Sequence, residues 1–297
     1  MVLLNVDDRL AMPYGSRHAT IHVDLDGATH IFRAHGWNPK FQRDPLFFSG
    51  LRRAMSLFAE RRITATLFVI AEDLADPEKR ALIVEAVAQG HEIASHTMTH
   101  RHLTALAPDE RRNELRDSRD ALEQVVGKRI TGFRAPGFRL DHDTLAMVAE
   151  AGYRYDSSAF RGSRSPAGAL TLDAGVEGLE RETGLRELAM PSYDGLPWPF
   201  HPSYSLLLGT RYFRAGLDRA LRSSPADPFV FLIHLTDLAD PLPAGDLHGW
   251  RSRIYTLSVL SSATKERRMH RMLNLIEERC SLVATQALLS EPKGLAS

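Results

Sequence analysis

Short apolar segments alternate with amphipathic segments along this chain, and the alternation predicts a mixed α/β protein. The segments 64–70 and 228–233 are nearly continuous apolar runs, which is typical of strands buried on both faces. Between such runs, apolar residues recur at helical spacing, as they do in 49–62. The predicted strands are 19–24, 64–70, 91–95, 130–133, 228–233 and 282–284, and the predicted helices are 49–62, 77–89, 108–126, 141–150, 210–221 and 265–278.

The ends of these segments carry ordinary helix and loop signals. Pro77 opens one predicted helix and Gly90 ends it, in line with the preference for proline at helix starts and glycine at helix ends. Three stretches rich in glycine, proline, serine or arginine show no period, so we predict loops at 160–185, 191–202 and 239–249. The alternation of strands and helices over this length predicts a parallel sheet, either open or closed into a barrel.

Composition narrows the classes of protein and of metal site. Of the 297 residues, 43% are hydrophobic and 25% are charged, as in an ordinary globular protein. Lys+Arg and Asp+Glu both number 37, so the chain lacks the basic excess that nucleic-acid binders show. The single cysteine excludes an intrachain disulfide and a cysteine-based zinc cluster. A metal site must therefore use His, Asp or Glu, and the chain has 13 histidines.

The sequence shows no signal for export or for membrane insertion. Its first residues lack a basic segment followed by an apolar run, so they do not resemble a secretory signal. No apolar stretch approaches the roughly 18 residues that a membrane-spanning helix needs. We therefore expect a cytoplasmic protein without a transmembrane segment.

Titratable side chains follow the carboxyl ends of the predicted strands. In parallel sheets and barrels these ends meet at one rim, where active sites lie. The residues concerned are Asp24, Asp26, His96, His100, Arg134, Asp156 and His234. We expect these residues, which are far apart in the chain, to form one site.

A pair of histidines follows the strand predicted at 91–95. His96 and His100 are four residues apart, so on a helical turn both rings would face the same way and could bind one metal ion. Solvated or capping histidines would have the same spacing. His91 and His102 are competing candidates, but His91 lies at the opposite end of the strand and His102 is out of phase with the pair.

Two carboxylates end the first predicted strand. Asp24 and Asp26 lie on the same side of an extended segment because side chains alternate with a period of two. One carboxylate could bind a metal while the other stays free as a base. A strand-end turn with solvated acids would give the same pattern.

Five segments in order resemble the motifs of the polysaccharide deacetylase family, also called the NodB-homology or carbohydrate esterase family 4 group. The resemblance covers about residues 19–285, and we expect a single domain over 1–297. The motif-like segments are Asp24-Leu-Asp26-Gly27, Gly90-His-Glu-Ile-Ala-Ser-His96-Thr-Met-Thr-His100, Gly132-Phe-Arg134-Ala-Pro136-Gly137, Tyr155-Asp156-Ser157-Ser158 and Leu232-Ile-His234.

This resemblance implies a distorted (β/α) barrel, with parallel strands and outer helices, that hydrolyses an N-acyl bond with one divalent metal ion. Zinc is the expected ion, with cobalt, nickel and iron as alternatives. The implied metal ligands are Asp26, His96 and His100, the implied general base is Asp24 held by Arg134, and the implied general acid is His234 paired with Asp156.

The chain departs from the family pattern at three places. Its first motif is Asp-x-Asp, which resembles the subgroup of cyclic-imide hydrolases, some peptidoglycan-deacetylase-like proteins and lipid-linked formamidoarabinose deformylases. Phe160 stands where many members have a tryptophan. An insert at 29–37 brings His30, His35 and Trp37 near the site, either as substrate contacts or as exposed loop residues without a role.

From these features we predict a hydrolase, a metal-dependent N-deacetylase or deformylase. Its substrate would be an N-acetylated or N-formylated amino sugar, or a related small or lipid-linked amide. Two alternatives are a cyclic-imide or ureide ring-opening hydrolase and a non-catalytic, metal-containing carbohydrate-binding module. The basic, amphipathic segment 265–276 would allow contact with the inner membrane face, but we favour packing of its apolar residues on the barrel.

Overall fold

Parallel strands form a single sheet in the computed structural model, which describes residues 17–163 and 165–290. The strands are β1 (His18–Asp24), β2 (Thr66–Val69), β3 (Glu92–Ser95), β4 (Gly132–Phe133), β5 (Tyr155–Asp156), β6 (Arg186–Glu187), β7 (Phe229–His234) and β8 (Ser281–Leu282). Their order is β6-β5-β4-β3-β2-β1-β7, and β8 pairs with the first residues of β1. Every strand pair is parallel.

Helices surround this sheet and connect its strands. They are α1 (Ala28–His35), α2 (Pro45–Arg61), α3 (Pro77–Ala88), α4 (Pro108–Val126), α5 (His142–Glu150), α6 (Ala174–Thr183), α7 (Pro202–Leu208), α8 (Thr210–Ser223), α9 (Gly249–Tyr255), α10 (Ser262–Glu277) and α11 (Thr285–Ser290). The architecture is a parallel half-barrel with surrounding helices, so the predicted α/β barrel class is confirmed. Within the described ranges, no helix is both long enough and apolar enough to cross a membrane. The single-domain assignment stays a prediction.

The central strand β1 has two chemically different faces. Ala19, Ile21 and Val23 are buried apolar side chains in the main hydrophobic core. Thr20 and His22, at the alternate positions, are also buried but hydrogen-bond to Thr285 of α11 inside the sheet. The inner face of β1 is therefore polar, whereas its outer face packs in the apolar main core.

Helix α10 packs on the sheet as the sequence analysis favoured. Four of its apolar side chains are fully buried, and they belong to the main core. These side chains are Met269, Met272, Leu273 and Ile276. The apolar face of this helix is thus covered by the protein itself.

Two segments for which no helix was predicted contain one. Helix α6 lies in the stretch 160–185, with the Asp173 side chain accepting a hydrogen bond from Val176 N. Val176 is its only fully buried residue, so the apolar period that sequence analysis needs is absent. The insert at 29–37 is largely helix α1, whose buried face includes the polar His30 and therefore breaks the apolar pattern.

One carboxylate joins the starts of two helices. The Asp44 side chain accepts hydrogen bonds from the backbone N–H groups of Ala28 (2.8 Å), Thr29 (3.1 Å) and Phe47 (3.0 Å), so it binds the first turns of both α1 and α2. Lys79 Nζ of α3 lies 3.2 Å from the same carboxylate. Burial opposes ionisation of Asp44, but Lys79 and the N–H donors outweigh it and lower the pKa.

Lys79 extends this contact to a second buried acid. Its ammonium donates to Asp73 at 2.7 Å, and Asp73 in turn lies 3.0 Å from His30 Nε2. All of these side chains are buried. Because a buried charge without its partner is strongly unfavourable, helices α1, α2 and α3 depend on one another for stability.

We predict that Asp44→Ala lowers the free energy of unfolding by about 3 kcal/mol, because it removes a helix cap and leaves a buried ammonium with one carboxylate fewer. Chemical denaturation measures this value. The matched control is Asp76→Ala, which removes the cap of α3 but no ion pair and should cost only about 1 kcal/mol. Equal losses in the two variants would show that the ion pair adds no stability.

Candidate active site

The ends of β1 and β7 bring the first polar groups together. Asp24, the last residue of β1, is in register with His234 of β7 on one side and with Phe68 of β2 on the other. Asp24 Oδ2 lies 3.9 Å from His234 Nε2. Sequence reasoning placed these residues at strand ends, and the parallel register explains why they meet.

Three predicted ligand residues lie next to this pair. Asp26 Oδ1 is 3.4 Å from His96 Nε2 and 3.2 Å from His100 Nε2. One ligand atom from each residue lies within 4.8 Å of the others. The structure thus brings His96 and His100 together at Asp26, whereas His91 lies at the far end of β3, where its Nδ1 accepts from Ala65 N.

The geometry of the histidine pair differs from the predicted helical turn. Residues 96–100 are not helical, and both Thr97 (φ 68°) and His100 (φ 61°) adopt left-handed backbone conformations. The buried carboxylate of Glu114 fixes this loop by accepting from the backbone N–H groups of Met98 and Thr99, each at 2.9 Å. The explanation by helical spacing was wrong, because an irregular loop rather than a helix brings the rings together.

The hydrogen bonds of the cluster leave its inner atoms open. His96 Nδ1 donates to the backbone carbonyl of Arg134 at 2.8 Å, so Nε2 faces the cluster with its lone pair. Asp26 Oδ1 and His100 Nε2 are buried, yet among the described residues neither atom makes a regular hydrogen bond. Unsatisfied buried ligand atoms that converge in this way fit a divalent cation.

The electrostatics of the cluster favour the ionised carboxylate. Burial opposes ionisation of Asp26, but the rings of His100 and His96 outweigh burial and hold its pKa well below the usual value. Burial likewise lowers the pKa of His96, but Asp24 and Asp26 reverse the effect and raise it. An Asp/His/His set of this kind holds a metal ion with positions left for water and substrate.

A fully buried arginine orients Asp24. Arg134 Nη1 donates to Asp24 Oδ1 at 2.7 Å, and its Nε donates to the carbonyl of Ser157 at 2.7 Å. Its Nη2 donates to His22 Nδ1 at 2.8 Å. Burial and Arg134 hold the pKa of His22 well below its usual value, so this ring is a neutral acceptor.

Sequence reasoning missed His22, although a signal was present. His22 lies two and four residues before the two motif acids, and therefore on their face of β1. A histidine inside a predicted buried strand, in phase with Asp24 and Asp26, indicates a polar interior.

The predicted pairing of Asp156 with His234 is wrong. Asp156 accepts from Ser158 Oγ (2.8 Å) and Ser158 N (2.9 Å), and it lies beside Glu187 of the neighbouring strand β6. Burial raises the pKa of both acids, most strongly that of Glu187, where Asp156 adds to the effect. Strand order explains the difference, since β5 pairs with β4 and β6, far along the sheet from β7.

Another acid faces the ring of His234. Asp237 Oδ2 lies 3.9 Å from His234 Nδ1 and accepts from the backbone N–H of His234 at 2.8 Å. Ser203 Oγ is 3.4 Å from the same ring nitrogen. The His201 ring lies 5.7 Å away, and burial, followed by the influence of His234, lowers the pKa of His201 to about 3.

The residues of the insert separate into two groups. His30 is 2% exposed, lies between Asp73 and Glu72, and contacts the His100 ring edge-on at 5.7 Å. His35 is exposed, and its ring stacks on Trp37 with the centroids 4.5 Å apart. His30 is thus a buried support behind a candidate ligand rather than an exposed loop residue.

Phe160, the other departure from the family pattern, is buried. Its ring meets Phe138 edge-on at 5.2 Å, and the residue is 6% exposed. At this position the chain therefore has an aromatic packing contact inside the barrel.

Comparisons with known proteins agree with the motifs. The family model for polysaccharide deacetylases matches residues 48–155, which include His96, His100 and Arg134. This chain is 40% identical to a peptidoglycan deacetylase-like protein of Gibberella zeae over 72 residues, which are 24% of this chain and 21% of that protein. Over 102 residues, 33% of the chain, it is 36% identical to a chitooligosaccharide deacetylase of Bradyrhizobium sp., covering 44% of that protein. The chain thus spans less than half the length of these relatives.

A solved structure shares the fold along nearly the entire chain. This polysaccharide-deacetylase-like protein from Mycobacterium smegmatis superposes with a TM-score of 0.56 at 18% identity, covering 97% of this chain and 96% of the other. The Asp-x-Asp subgroup stays a prediction. The family match over residues 48–155 and the curated relatives confirm the resemblance to the polysaccharide deacetylase family that the five motifs predicted.

Proposed function

We propose that this protein is a metal-dependent amide hydrolase that removes an N-acetyl or N-formyl group from an amino sugar. The carrying observation is the Asp26–His96–His100 cluster, which lies beside a carboxylate fixed by a buried arginine. A binding module would need no such base next to its metal ligands. The names of the curated relatives, which describe deacetylases of peptidoglycan and chitooligosaccharide, support the acetyl-sugar class.

Asp26, His96 and His100 would hold one divalent ion, and zinc fits their donor atoms. Such an ion supplies Lewis acidity, which polarises the amide carbonyl and eases deprotonation of water. The chain itself keeps the ligands in place. The His96 ring is anchored through Nδ1, and His100 is positioned by the loop whose backbone N–H groups bind Glu114. The site is therefore preorganised before any substrate arrives.

Asp24 would act as the general base on the attacking water. Arg134 donates to Oδ1 at 2.7 Å, which leaves Oδ2 facing the site. Arg134 cannot turn away, because Ser157 and His22 hold its other nitrogens. A base that keeps one orientation spends no free energy on reorganisation during the reaction.

His234 would donate a proton to the departing amine. An amine is a poor leaving group, so cleavage of an amide requires its protonation. His234 Nε2 lies 3.9 Å from Asp24 Oδ2, and its side chain is 22% exposed. Acid and base at this separation can act on two substituents of the same tetrahedral carbon.

We propose further that the substrate is small or lipid-linked and that the reaction occurs in the cytoplasm. An amine-release assay tests the substrate class with N-acetyl and N-formyl amino sugars, free and lipid-linked, each with and without chelator. Cyclic imides and ureides form a separate arm of the assay. Turnover of the rings alone would support the ring-opening alternative, and cell fractionation tests the location.

We predict that His96→Ala and His100→Ala each weaken metal binding about tenfold or more, because each removes one of three ligands. Elemental analysis and competition with a chromogenic chelator measure the affinity. The control is His102→Ala, which removes a half-buried ring that is hydrogen-bonded to the carbonyl of Pro136 and should leave metal binding intact. Full metal occupancy in both ligand variants would reject this ligand set.

We predict that Asp24→Asn keeps the metal but lowers kcat about a hundredfold to ten-thousandfold, because the amide side chain cannot accept the proton of water. Steady-state kinetics and metal content are measured on the same sample. Asp141→Asn makes the same chemical change at the cap of α5, outside the site, and should leave kcat unchanged. If Asp24→Asn has wild-type activity, Asp24 is not the base.

A further inference from the structure

The ring of His234 lies between two buried carboxylates. Asp24 Oδ2 is 3.9 Å from Nε2, and Asp237 Oδ2 is 3.9 Å from Nδ1. The side chains of both acids are at most 3% exposed. An imidazole with an acid near each nitrogen has a preferred orientation, because each nitrogen faces a carboxyl group.

Asp237 is held in this position by its own turn. It closes a 3₁₀ turn at Leu235–Asp237, directly after β7, and its carboxylate accepts from the backbone N–H of His234. Lys265 of α10 lies behind the turn, where its ammonium donates to the carbonyls of Thr236 and Ala239, each at 2.8 Å. The acid therefore cannot move without breaking the turn that follows the strand.

The other charged and titratable groups around His234 do not substitute for Asp237. Asp24 comes from β1 and is already paired with Arg134. His201, which precedes α7, is neutral because burial and His234 lower its pKa. Lys265 is buried, and burial lowers its pKa to about 8. Asp237 is thus the carboxylate on the Nδ1 side of the ring within the described part of the chain.

We infer that Asp237 is the positioning residue of His234: its carboxylate, 3.9 Å from Nδ1, and Ser203 Oγ, 3.4 Å from the same nitrogen, orient the ring so that Nε2 faces the departing amine beside Asp24. This inference rests on the proposed function. It assigns to Asp237 the role that the family motifs implied for Asp156, whose carboxylate is engaged by Ser158 and lies next to β6. An acid beside an imidazole also stabilises its protonated form, which is the form that donates.

Asp237→Asn tests this role with little risk to the fold. The asparagine oxygen can still accept from the His234 N–H, so the turn remains closed. We expect kcat to fall about tenfold to a hundredfold with KM and metal content nearly unchanged, because a general acid contributes at least that much. The alkaline limb of the pH–rate profile should move to lower pH, since the protonated ring has lost its anionic neighbour, and Asp237→Glu should restore part of the rate.

The matched control is Asp240→Asn, which makes the same change three residues further on. Asp240 is half exposed and pairs with Arg53, so its replacement should leave both kcat and the alkaline limb as in the wild type. Asp156→Asn tests the competing assignment. If Asp156→Asn moves the alkaline limb and Asp237→Asn does not, our inference is overturned.

A second readout separates this inference from the proposed function. Nitrogen-15 NMR of the metal-loaded protein reports which His234 nitrogen carries the proton, and it needs no substrate. We expect a proton on Nδ1 in the wild type and a mixed tautomer in Asp237→Asn. Identical spectra of the two proteins would overturn the role of Asp237 even if the enzyme is a deacetylase. A changed spectrum in a protein without amidase activity would instead contradict only the proposed function.

Discussion

The buried pair of Arg134 and Asp24 is the interaction on which the rest of the site depends. A guanidinium without solvent is costly, and it is tolerated only when its donors are satisfied. Arg134 follows β4, and its partners come from two other places: β1 contributes the Asp24 carboxylate and His22 Nδ1, and the segment after β5 contributes the Ser157 carbonyl. Any shift of one strand against the others would leave a buried charge without its partner. The register of the sheet and the direction of the candidate base are therefore fixed by the same group.

The sequence predicted which residues gather at the site better than it predicted which of them contact one another. Strand ends, parallel connections and the five motifs were enough to bring Asp26, His96 and His100 together. The partner of His234 depends instead on which strands are neighbours and on a turn of three residues, and neither appears as a period in the sequence. Asp237 is an example. It lies three residues after a motif histidine, but this position predicts a contact with His234 only once β7 is known to end at that histidine.

The missed helices have a related cause. Sequence patterns identify a helix by its apolar face, but α1 buries His30, whose nitrogens face Asp73 and Glu72. A sequence pattern of this kind predicts a polar, exposed face, although the face is buried. Hydrogen bonds also take the place of apolar contacts in the loop at 96–100. There the Glu114 carboxylate, rather than a helix, fixes the backbone that carries the two histidines. Near the site, polar satisfaction rather than apolar periodicity determines local structure.

This preference extends through the interior of the half-barrel. The Thr285 hydroxyl of α11 is hydrogen-bonded to Thr20 (2.8 Å), His22 (3.1 Å) and Thr66 (2.7 Å). The other ring nitrogen of His22 accepts from Arg134, so the network includes the arginine. A column of hydrogen bonds contributes less net stability than an apolar filling of the same volume, but each member has few permitted orientations. The apolar clusters on both faces of the sheet supply the stability, so these polar groups can fix orientation. That division explains how a base and three ligand residues can be held in place at the ends of strands.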